Sequence, residues 1–290
     1  MSELKCGRVW TASNAKTKMK TTVLTWLVRM NHPVIPLAKL PTTILTEFAD
    51  TYNAKYADGS LAHGGFASHI RAHEYFTFKI PSALPSEAAA PLLCAGLTTY
   101  SPLVRGGVGP GTTVGVCGIG GLGHLGIQWA KALGADVYAL THSPEKLDDA
   151  KKLGAIAAIV TSEQDWEKEW AFKFDFILNC SDMTSEFDLP RYLSTLKVGG
   201  QFHMVGLPDK ALPQMQAFTF AANAAKLTGS HLGNRQEMEA LLNLAAEKGI
   251  RPWVETIQVS EKGCQEAVER VYTNNVRYRF TLTGFGEVFK

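Results

Sequence analysis

Two hydrophobic periods alternate along the chain from residue 113 onward. Short apolar runs bounded by glycines or turn residues predict buried strands, and stretches with helical spacing follow most of them. The predicted strands cover residues 113–117, 136–141, 156–160, 174–180, 201–206 and 226–231. The predicted helices cover residues 121–133, 144–153, 189–196 and 235–248. Apolar strands that alternate with helices over short loops predict a parallel sheet covered on both faces.

This pattern places the chain in the α/β class, as a Rossmann-type doubly wound parallel sheet. Outside it, strands are predicted at 64–72, 75–80, 253–259 and 276–282, and helices at 87–99, after Ser86 as N-cap, and at 261–273. Residues 1–55 show no clear period. We therefore expect four segments: an atypical head (1–55), a small β segment (56–100), the Rossmann domain (101–250) and a C-terminal segment (251–290).

Composition and charge narrow the function classes. Apolar residues make up 46% of the chain and charged residues 19%, as in ordinary globular proteins. The chain has no apolar run near the ~18 residues that a bilayer span needs, so no membrane partner is expected. Residues 1–46 hold seven Lys and Arg against Glu3, whereas the rest is net acidic, which argues against nucleic acid. The basic head also allows a transit peptide. Five scattered cysteines suit a reducing, cytoplasmic compartment.

A glycine-rich turn joins the first predicted strand of the α/β region to its helix. Residues 118–123, here called the glycine turn, have the sequence GIGGLG and fit the G-x-G-x-x-G pattern. Gly118 permits a tight turn, Gly120 lets a pyrophosphate approach the backbone, and Gly123 lets helix and strand pack closely. The N-terminus of the helix supplies free N–H groups and a partial positive charge. The turn predicts a dinucleotide site, to which Gly121 and Leu122 also contribute.

The end of the second strand indicates which dinucleotide is bound. NAD requires an acid there for the ribose 2′-hydroxyl, but this chain has the sequence THSPEK. The nearby Glu145 follows a helix-starting proline and is expected to point outward. Hydroxyl, imidazole and ammonium groups suit a 2′-phosphate instead; they belong to Thr141, His142, Ser143 and Lys146. NADP(H) is the predicted cofactor, against the alternative of an ordinary polar turn.

Three stretches in combination resemble a known family. They are PLLCAGLTTYSPL at 91–103, the glycine turn, and VRYRF at 276–280. The chain resembles the zinc-type medium-chain alcohol dehydrogenases over residues 50–283. Within them it is most similar to the NADP-dependent cinnamyl alcohol dehydrogenases, in their fungal broad-specificity form.

The resemblance implies hydride transfer between NADPH and an aldehyde or alcohol, with zinc polarising the carbonyl. It implies that Cys94 is a catalytic zinc ligand and that Thr98 is a catalytic residue beside the nicotinamide. It further implies that Cys180 lies near the adenine-side ribose and Arg279 near the phosphates. It places Gly206 near the nicotinamide, with Ser230, His231 and Leu232 beside the nicotinamide carboxamide. It also implies a homodimer, joined through an edge strand of the nucleotide-binding sheet at 253–259.

The chain departs from the family pattern before residue 50. There the family has a GroES-like β domain with a Gly-His-Glu motif and a four-cysteine zinc lobe, and this chain has neither, so a truncated GroES-like domain is expected. Cys94 is the one zinc ligand that the resemblance assigns, where three are usual. A metal pair at His69 and His73, or rebuilt ligands at Cys6 and His32, are weaker interpretations. Weak zinc binding is therefore expected.

Three functions stay open at this point. The first is an NADP-dependent alcohol dehydrogenase or aldehyde reductase. The second is a zinc-free enoyl or quinone reductase of the same superfamily, acting on an activated C=C bond. The third is an inactive NADP-binding relic of the first.

Overall fold

The computed structural model describes residues 52–55, 59–65, 74–182, 187–207, 211–212 and 214–289. The predicted head, most of the predicted strand at 64–72, and the His69–His73 pair lie outside the described residues. In chain order the strands and helices are β1 (Tyr52–Lys55), β2 (Leu61–His63), α1 (Ser86–Pro91), α2 (Leu97–Arg105), β3 (Thr113–Cys117), α3 (Gly123–Ala132), β4 (Asp136–Thr141), α4 (Leu147–Leu153), β5 (Ala157–Val160), α5 (Trp166–Glu169), β6 (Phe174–Asn179), α6 (Leu189–Ser194), β7 (Leu196–Met204), α7 (Phe218–Ala221), β8 (Lys226–Gly229), α8 (Arg235–Lys248), β9 (Val254–Gln258), α9 (Glu261–Tyr272), β10 (Arg279–Thr283) and α10 (Phe285–Val288).

The chain forms two compact units. The larger unit comprises Pro91–Trp253 and Arg277–Arg279. The smaller unit comprises the described residues up to Ala90, together with Val254–Val276 and the described residues from Phe280 onward. Every candidate site residue predicted from the sequence and described in the structure belongs to the larger unit. In the described part of the chain, no helix combines the length and the apolar character needed to cross a membrane.

The larger unit is built on a six-stranded sheet with the order β5-β4-β3-β6-β7-β8. All five neighbouring pairs are parallel. The order reverses between β3 and β6, which is the arrangement of a doubly wound sheet with its switch point at those strands. The predicted Rossmann-type fold is confirmed.

Burial explains why these segments form strands and helices. Four of the five residues of β3 are buried, and α3 carries the fully buried Trp129, which meets Tyr100 of α2 edge to face with ring centroids 5.7 Å apart. A second core cluster joins α5 and α6 to the sheet; its bulkiest members are Trp166, Phe174, Ile177, Tyr192 and Phe202. Removing this much apolar surface from water is the main driving force for the unit.

Helix ends agree with local capping chemistry. In α8 the Asn234 side chain accepts a hydrogen bond from the Glu237 N–H at 2.9 Å, and the Glu237 carboxylate accepts one from the Asn234 N–H at 2.7 Å. This is a capping box. At the other end Gly249 adopts a left-handed conformation, with φ of 66°. These two signals explain why the predicted bounds of this helix, 235–248, are the observed ones.

Several predicted elements differ from the structure. The predicted strand at 75–80 is wrong: Glu74–Phe76 form a 3₁₀ turn, because the Thr77 N–H and hydroxyl both donate to the Glu74 carbonyl, at 3.1 and 2.6 Å.

The predicted helix at 87–99 begins at Ser86 and reaches Arg105, with a π-helical turn over Leu92–Gly96. Its Pro91 has no N–H for the Glu87 carbonyl, which accepts from the Thr281 hydroxyl at 2.9 Å instead.

The predicted helix at 189–196 ends at Ser194, and β7 begins at Leu196. The glycines at 199 and 200 lie inside β7. The register of β7 against β6 shifts between Phe174 and Phe176. A strand with such an irregularity keeps pairing across the glycines, so these glycines do not terminate an element.

The smaller unit contains two short sheets, one of β1 and β2 and one of β9 and β10. This corrects the prediction that 253–259 is an edge strand of the nucleotide-binding sheet. Within the described residues, β9 pairs with β10, and the edges of the six-stranded sheet are β5 and β8. The apolar pattern of a strand predicts that it pairs with another strand, but it does not indicate which one.

Candidate functional site

The glycine turn lies at the carboxyl end of β3, at the switch point of the sheet. Gly118 has a φ of 85°, and a Cβ there would lie 2.9 Å from the Cβ of Ser181, which follows β6. At Gly123 a Cβ would lie 1.8 Å from the Gly118 carbonyl oxygen, so the first turn of α3 packs directly on the loop. Both positions therefore require glycine.

Three side chains, two of them from distant parts of the chain, bind successive carbonyls of the glycine turn. Lys146 Nζ donates to the Ile119 carbonyl oxygen at 2.7 Å, and His124 Nδ1 donates to that of Gly120 at 2.9 Å. Arg279 Nε donates to the Gly121 carbonyl oxygen at 2.8 Å. These bonds fix the carbonyls on the protein side of the loop.

The N–H groups of the glycine turn face a different environment. The first N–H groups of a helix have no acceptor within the helix, and they carry the positive end of its dipole. A Cβ built on Gly120 would have no heavy atom within 4 Å. The loop thus offers an open backbone surface beside unpaired helix N–H groups, which is the geometry that binds an anion.

Cations and aromatic rings surround one side of the turn. Lys146 Nζ and the Arg277 guanidinium lie 5.7 and 5.8 Å from the centroid of the Tyr278 ring. The Tyr278 hydroxyl and Arg277 both donate to the Asp149 carboxylate. Burial lowers the pKa of the Lys146 ammonium, and the charge of Arg277 lowers it further. Asp149 is thus already paired, and Lys146 remains available to a negative ligand.

The segment after β4 differs from prediction at one position. Thr141 is buried, and its hydroxyl accepts from the Ser143 N–H at 3.1 Å and donates to the Ser143 carbonyl oxygen at 3.2 Å. It therefore holds the turn together and is not the free donor that the sequence predicts. His142 and Glu145 are exposed, and Ser143 is half-buried. His142, Ser143 and Lys146 are left as groups that can reach a 2′-phosphate.

Cys94 lies in the π-helical turn before α2. Such turns are rare and often occur at functional sites. Burial raises the pKa of the Cys94 thiol above its usual range; the Arg279 guanidinium and a hydrogen bond with the buried Thr98 lower it by less. Arg279, which binds the glycine turn, therefore also lies near Cys94. The structure brings these predicted residues to one place, with Cys94 as a neutral thiol.

Zinc does not fit the described residues around Cys94. A catalytic zinc takes three protein ligands, with thiolates rather than thiols. Among the residues that the structure describes, no group of three or more His, Cys, Asp or Glu side chains could hold a metal ion. The cation that influences the Cys94 thiol is Arg279.

The ends of β6 and β7 meet beside the glycine turn. The fully buried Asn179 accepts a hydrogen bond from the Ser181 hydroxyl at 2.7 Å, and the Val205 N–H donates to the Asn179 carbonyl oxygen at 3.0 Å. A Cβ on Gly206 would lie 2.4 Å from the Ser181 carbonyl oxygen. Burial raises the pKa of the Cys180 thiol, and the neighbouring Cys117 raises it further by a smaller amount. Cys180 is thus a neutral part of the site wall.

The segment after β8 is held from two sides. His203 Nε2 and Ser230 Oγ lie 2.8 Å apart. The Ser101 hydroxyl of α2 donates to the Leu232 carbonyl oxygen at 2.7 Å, and Leu232 has a φ of 59°. His231 is exposed. This places Ser230, His231 and Leu232 at the same edge of the sheet as the glycine turn.

Sequence analysis missed the residues that hold these positions. His124 is fully buried, stacks on Tyr278 with ring centroids 5.3 Å apart, and burial lowers its pKa to about 3. His203 is also buried and neutral, with its pKa lowered to about 4 by burial. A histidine inside an otherwise apolar run is a weak signal that could have identified both.

Known proteins are similar to this chain in sequence and in fold. Residues 121–247 match the family described as zinc-binding dehydrogenase. The NADP-dependent alcohol dehydrogenase 6 of Saccharomyces cerevisiae is 42% identical over 84% of this chain and 68% of its own length. The solved cinnamyl alcohol dehydrogenase of Sorghum bicolor is 34% identical with a TM-score of 0.72, over 77% of this chain and 63% of that chain. A Helicobacter pylori enzyme solved with NADP(H) is 30% identical with a TM-score of 0.68, over 79% and 64%.

With its sheet order, glycine turn and these relatives, the chain belongs to the zinc-binding dehydrogenase family, among the NADP-dependent alcohol dehydrogenases. The family prediction is confirmed. The chain spans about two thirds of the length of the relatives that it matches.

Proposed function

We propose that this chain binds NADP(H) across the carboxyl edge of its parallel sheet and catalyses hydride transfer between NADPH and an aldehyde or alcohol. The observation that supports this proposal most directly is the glycine turn. Lys146, His124 and Arg279 hold its carbonyls, and the N–H groups at the start of α3 are left for a diphosphate. The names of the relatives supply the reaction class.

Each part of the site has a role in this proposal. The N-terminus of α3 would bind the diphosphate, and Lys146 with His142 and Ser143 would bind the 2′-phosphate. When bound, NADPH supplies a hydride to the substrate carbonyl. Cys94 and Thr98 would line the substrate side, where Thr98 is hydrogen-bonded to the thiol. Gly206, Cys180 and the residues after β8 would surround the nicotinamide half.

The reaction class is tested by NADPH oxidation with two kinds of substrate. The purified chain is mixed with NADPH and either benzaldehyde, which has no activated C=C bond, or an α,β-unsaturated ketone, and absorbance is followed at the nicotinamide band. We expect oxidation with the aldehyde and alcohol as product. Oxidation with the enone alone, with its C=C bond reduced, would contradict the proposal. Binding of NADPH without turnover of either compound would support the inactive relic instead.

One observation favours the C=C reductase as a second candidate. The described residues place a neutral thiol beside a guanidinium where a metal would be needed to polarise an aldehyde. A reductase of activated C=C bonds needs the cofactor and a positioned substrate but no metal. The substrate pair above separates the two candidates.

Metal content gives an independent measurement. We expect purified chain, dialysed against buffer, to retain well under one equivalent of zinc, since one thiol supplies a fraction of the ~10–16 kcal/mol of a complete structural site. Atomic emission measures the zinc. A full equivalent that is lost in Cys94→Ala would contradict this expectation and would assign zinc chemistry to the chain.

A homodimer and a cytoplasmic location complete the proposal. Within the described residues, β8 pairs on one side alone, and Phe172 and Phe218, 53% and 77% exposed, flank a cavity at the Asn223 end of the same unit. Open edges and apolar patches favour association. Four described cysteines carry free thiols, as expected in a reducing compartment.

The dimer is tested by mass in solution. We expect light scattering at micromolar concentration to give twice the chain mass, and Phe218→Asp to give the chain mass, because a carboxylate cannot be buried in an apolar interface without a partner. Val288→Asp, at a partly exposed apolar position of the smaller unit, is the control. A wild-type chain that is monomeric would rule the dimer out.

A further inference from the structure

A hydrogen-bonded row of polar side chains runs across β7 and β8 to the candidate site. The four members are Gln201, His203, Thr228 and Ser230. Gln201 Nε2 donates to Thr228 Oγ1 at 2.9 Å and lies 3.3 Å from His203 Nδ1. Thr228 Oγ1 and His203 Nδ1 lie 2.8 Å apart, and His203 Nε2 lies 2.8 Å from Ser230 Oγ. Only Ser230 of the four is beyond the strands.

The order of donors in this row follows from the chemistry of its members. An amide NH₂ group donates and does not accept, so Gln201 supplies a proton to Thr228 Oγ1. The Thr228 hydroxyl lies 2.8 Å from His203 Nδ1 and 3.4 Å from the Phe202 carbonyl oxygen, and the shorter contact favours a proton directed to Nδ1. A neutral imidazole carries one proton, which in this arrangement is on Nε2. His203 is neutral because burial against β6, where its ring stacks on Phe176 with centroids 5.9 Å apart, lowers its pKa to about 4.

The last bond of the row sets the role of Ser230. His203 Nε2–H donates to Ser230 Oγ, so the hydroxyl proton of Ser230 points elsewhere. Among the described residues, Ser230 Oγ has no second hydrogen-bond partner, and the residue is half-exposed at the carboxyl end of β8. A hydroxyl whose oxygen already accepts one hydrogen bond is oriented so that its own proton is available to another acceptor.

The topology indicates what this donor would meet. A dinucleotide lies across the crevice at the carboxyl ends of the strands, with one nucleotide on each side of the switch point. Lys146 and the segment after β4 lie on one side and suit the phosphorylated adenosine. The β6-β7-β8 side is then left for the nicotinamide. Its carboxamide offers one carbonyl oxygen as a hydrogen-bond acceptor.

We propose that His203 is a positioning residue, which presets the Ser230 hydroxyl as a donor to the carboxamide oxygen of the nicotinamide. The inference rests on the proposed NADP(H) site and deepens it. The row would fix the rotation of the carboxamide and thereby the orientation of the nicotinamide ring. His203 would do this from β7, without touching the cofactor.

The test compares two ligands that differ only in the nicotinamide. NADP⁺ and 2′-phospho-ADP-ribose are each titrated into the full chain by calorimetry. We expect His203→Leu to weaken NADP⁺ binding about tenfold, as for the loss of one hydrogen bond, and to leave the binding of 2′-phospho-ADP-ribose within about a factor of two. His203→Gln, which keeps an N–H near the position of Nε2, should restore most of the affinity.

Two further single variants, Ser230→Ala and Thr228→Val, keep the inference testable if His203→Leu does not fold, and a double variant adds a test if it does. Ser230→Ala should give the same selective loss, and the His203→Leu, Ser230→Ala double variant should lose no more than either alone. Thr228→Val keeps the shape of Thr228 but removes the proton given to His203 Nδ1. It should lose part of the affinity for NADP⁺.

Equal weakening of both ligands by His203→Leu would overturn the inference, since it would indicate a general structural defect. A Ser230→Ala loss that His203→Leu and Thr228→Val do not share would also overturn it. A wild-type chain that binds neither ligand would contradict the proposed function itself. A wild-type chain that binds both ligands, with no variant affecting either, would contradict the inference alone.

Discussion

Gly120→Ala is expected to leave the chain folded and to weaken NADPH binding by about 100-fold. Gly120 is not among the glycines with a positive φ, and a Cβ there meets no protein atom within 4 Å. The change in the free energy of unfolding should therefore stay within about 0.5 kcal/mol. The added methyl group would hold the diphosphate away from the helix N–H groups. Losing two charge-assisted hydrogen bonds of about 1.5 kcal/mol each gives about that loss in affinity.

Gly123→Ala is the matched comparison within the same turn. Its Cβ would lie 1.8 Å from the Gly118 carbonyl oxygen, so the loop or the start of α3 must move. We expect a loss of about 3 kcal/mol in the free energy of unfolding together with the loss of NADPH binding. Thermal unfolding measures the first effect, and calorimetric titration measures the second. A folded Gly120→Ala chain with wild-type NADPH affinity would show that the diphosphate binds elsewhere.

The sheet of the larger unit could be predicted because its signals are local. The apolar run at 136–141 is bounded by Gly134 and a proline, and its predicted bounds are those of β4. Other elements were missed where a side-chain hydrogen bond decided the conformation. The aromatic stretch at 75–80 has the composition of a strand, but a threonine hydroxyl closes it into a 3₁₀ turn. Hydrophobic period does not contain that information.

The partner of a strand was harder to predict than the strand. The apolar residues at 253–259 do form β9, but it pairs with β10 and not with the six-stranded sheet. Amino-acid composition predicts that a strand will be buried. Which strand it pairs with depends on the rest of the chain.

The site was predictable as a set of positions but not as a set of contacts. The spacing of the glycine turn fits a loop that requires glycine at Gly118 and Gly123, and the structure gives that requirement in distances. Arg279 binds the carbonyl of Gly121, 158 residues away, and His203 meets Ser230 across two strands. Sequence spacing cannot indicate such pairs. Thr141 shows the reverse case, since its residue type suits a phosphate but its hydroxyl is used within its own turn.

The preference for NADPH over NADH is expected to depend on Lys146. Its ammonium group lies on the Ile119 carbonyl at the glycine turn, beside the positive charge of Arg277. A half-buried cation at this position is only partly screened by salt, so it would favour a ligand that carries an added 2′-phosphate. Lys146→Met keeps the length of the side chain but removes its charge. A charge-assisted hydrogen bond of about 1.5–3 kcal/mol predicts a loss of about 10- to 100-fold in NADPH affinity.

The ratio of the two dissociation constants separates charge from structure. The lost bond to Ile119 and the lost attraction for the diphosphate would weaken NADPH and NADH alike. The lost attraction for the 2′-phosphate acts on NADPH alone, so the dissociation constant of NADH divided by that of NADPH should fall by about tenfold or more. Lys152→Met, the same removal of charge at an exposed position in the last turn of α4, is the control and should leave the ratio near its wild-type value. Ser143→Asp should move the preference toward NADH, because a carboxylate repels the 2′-phosphate and accepts from a 2′-hydroxyl. If the ratio is unchanged in Lys146→Met, the 2′-phosphate does not bind at this turn.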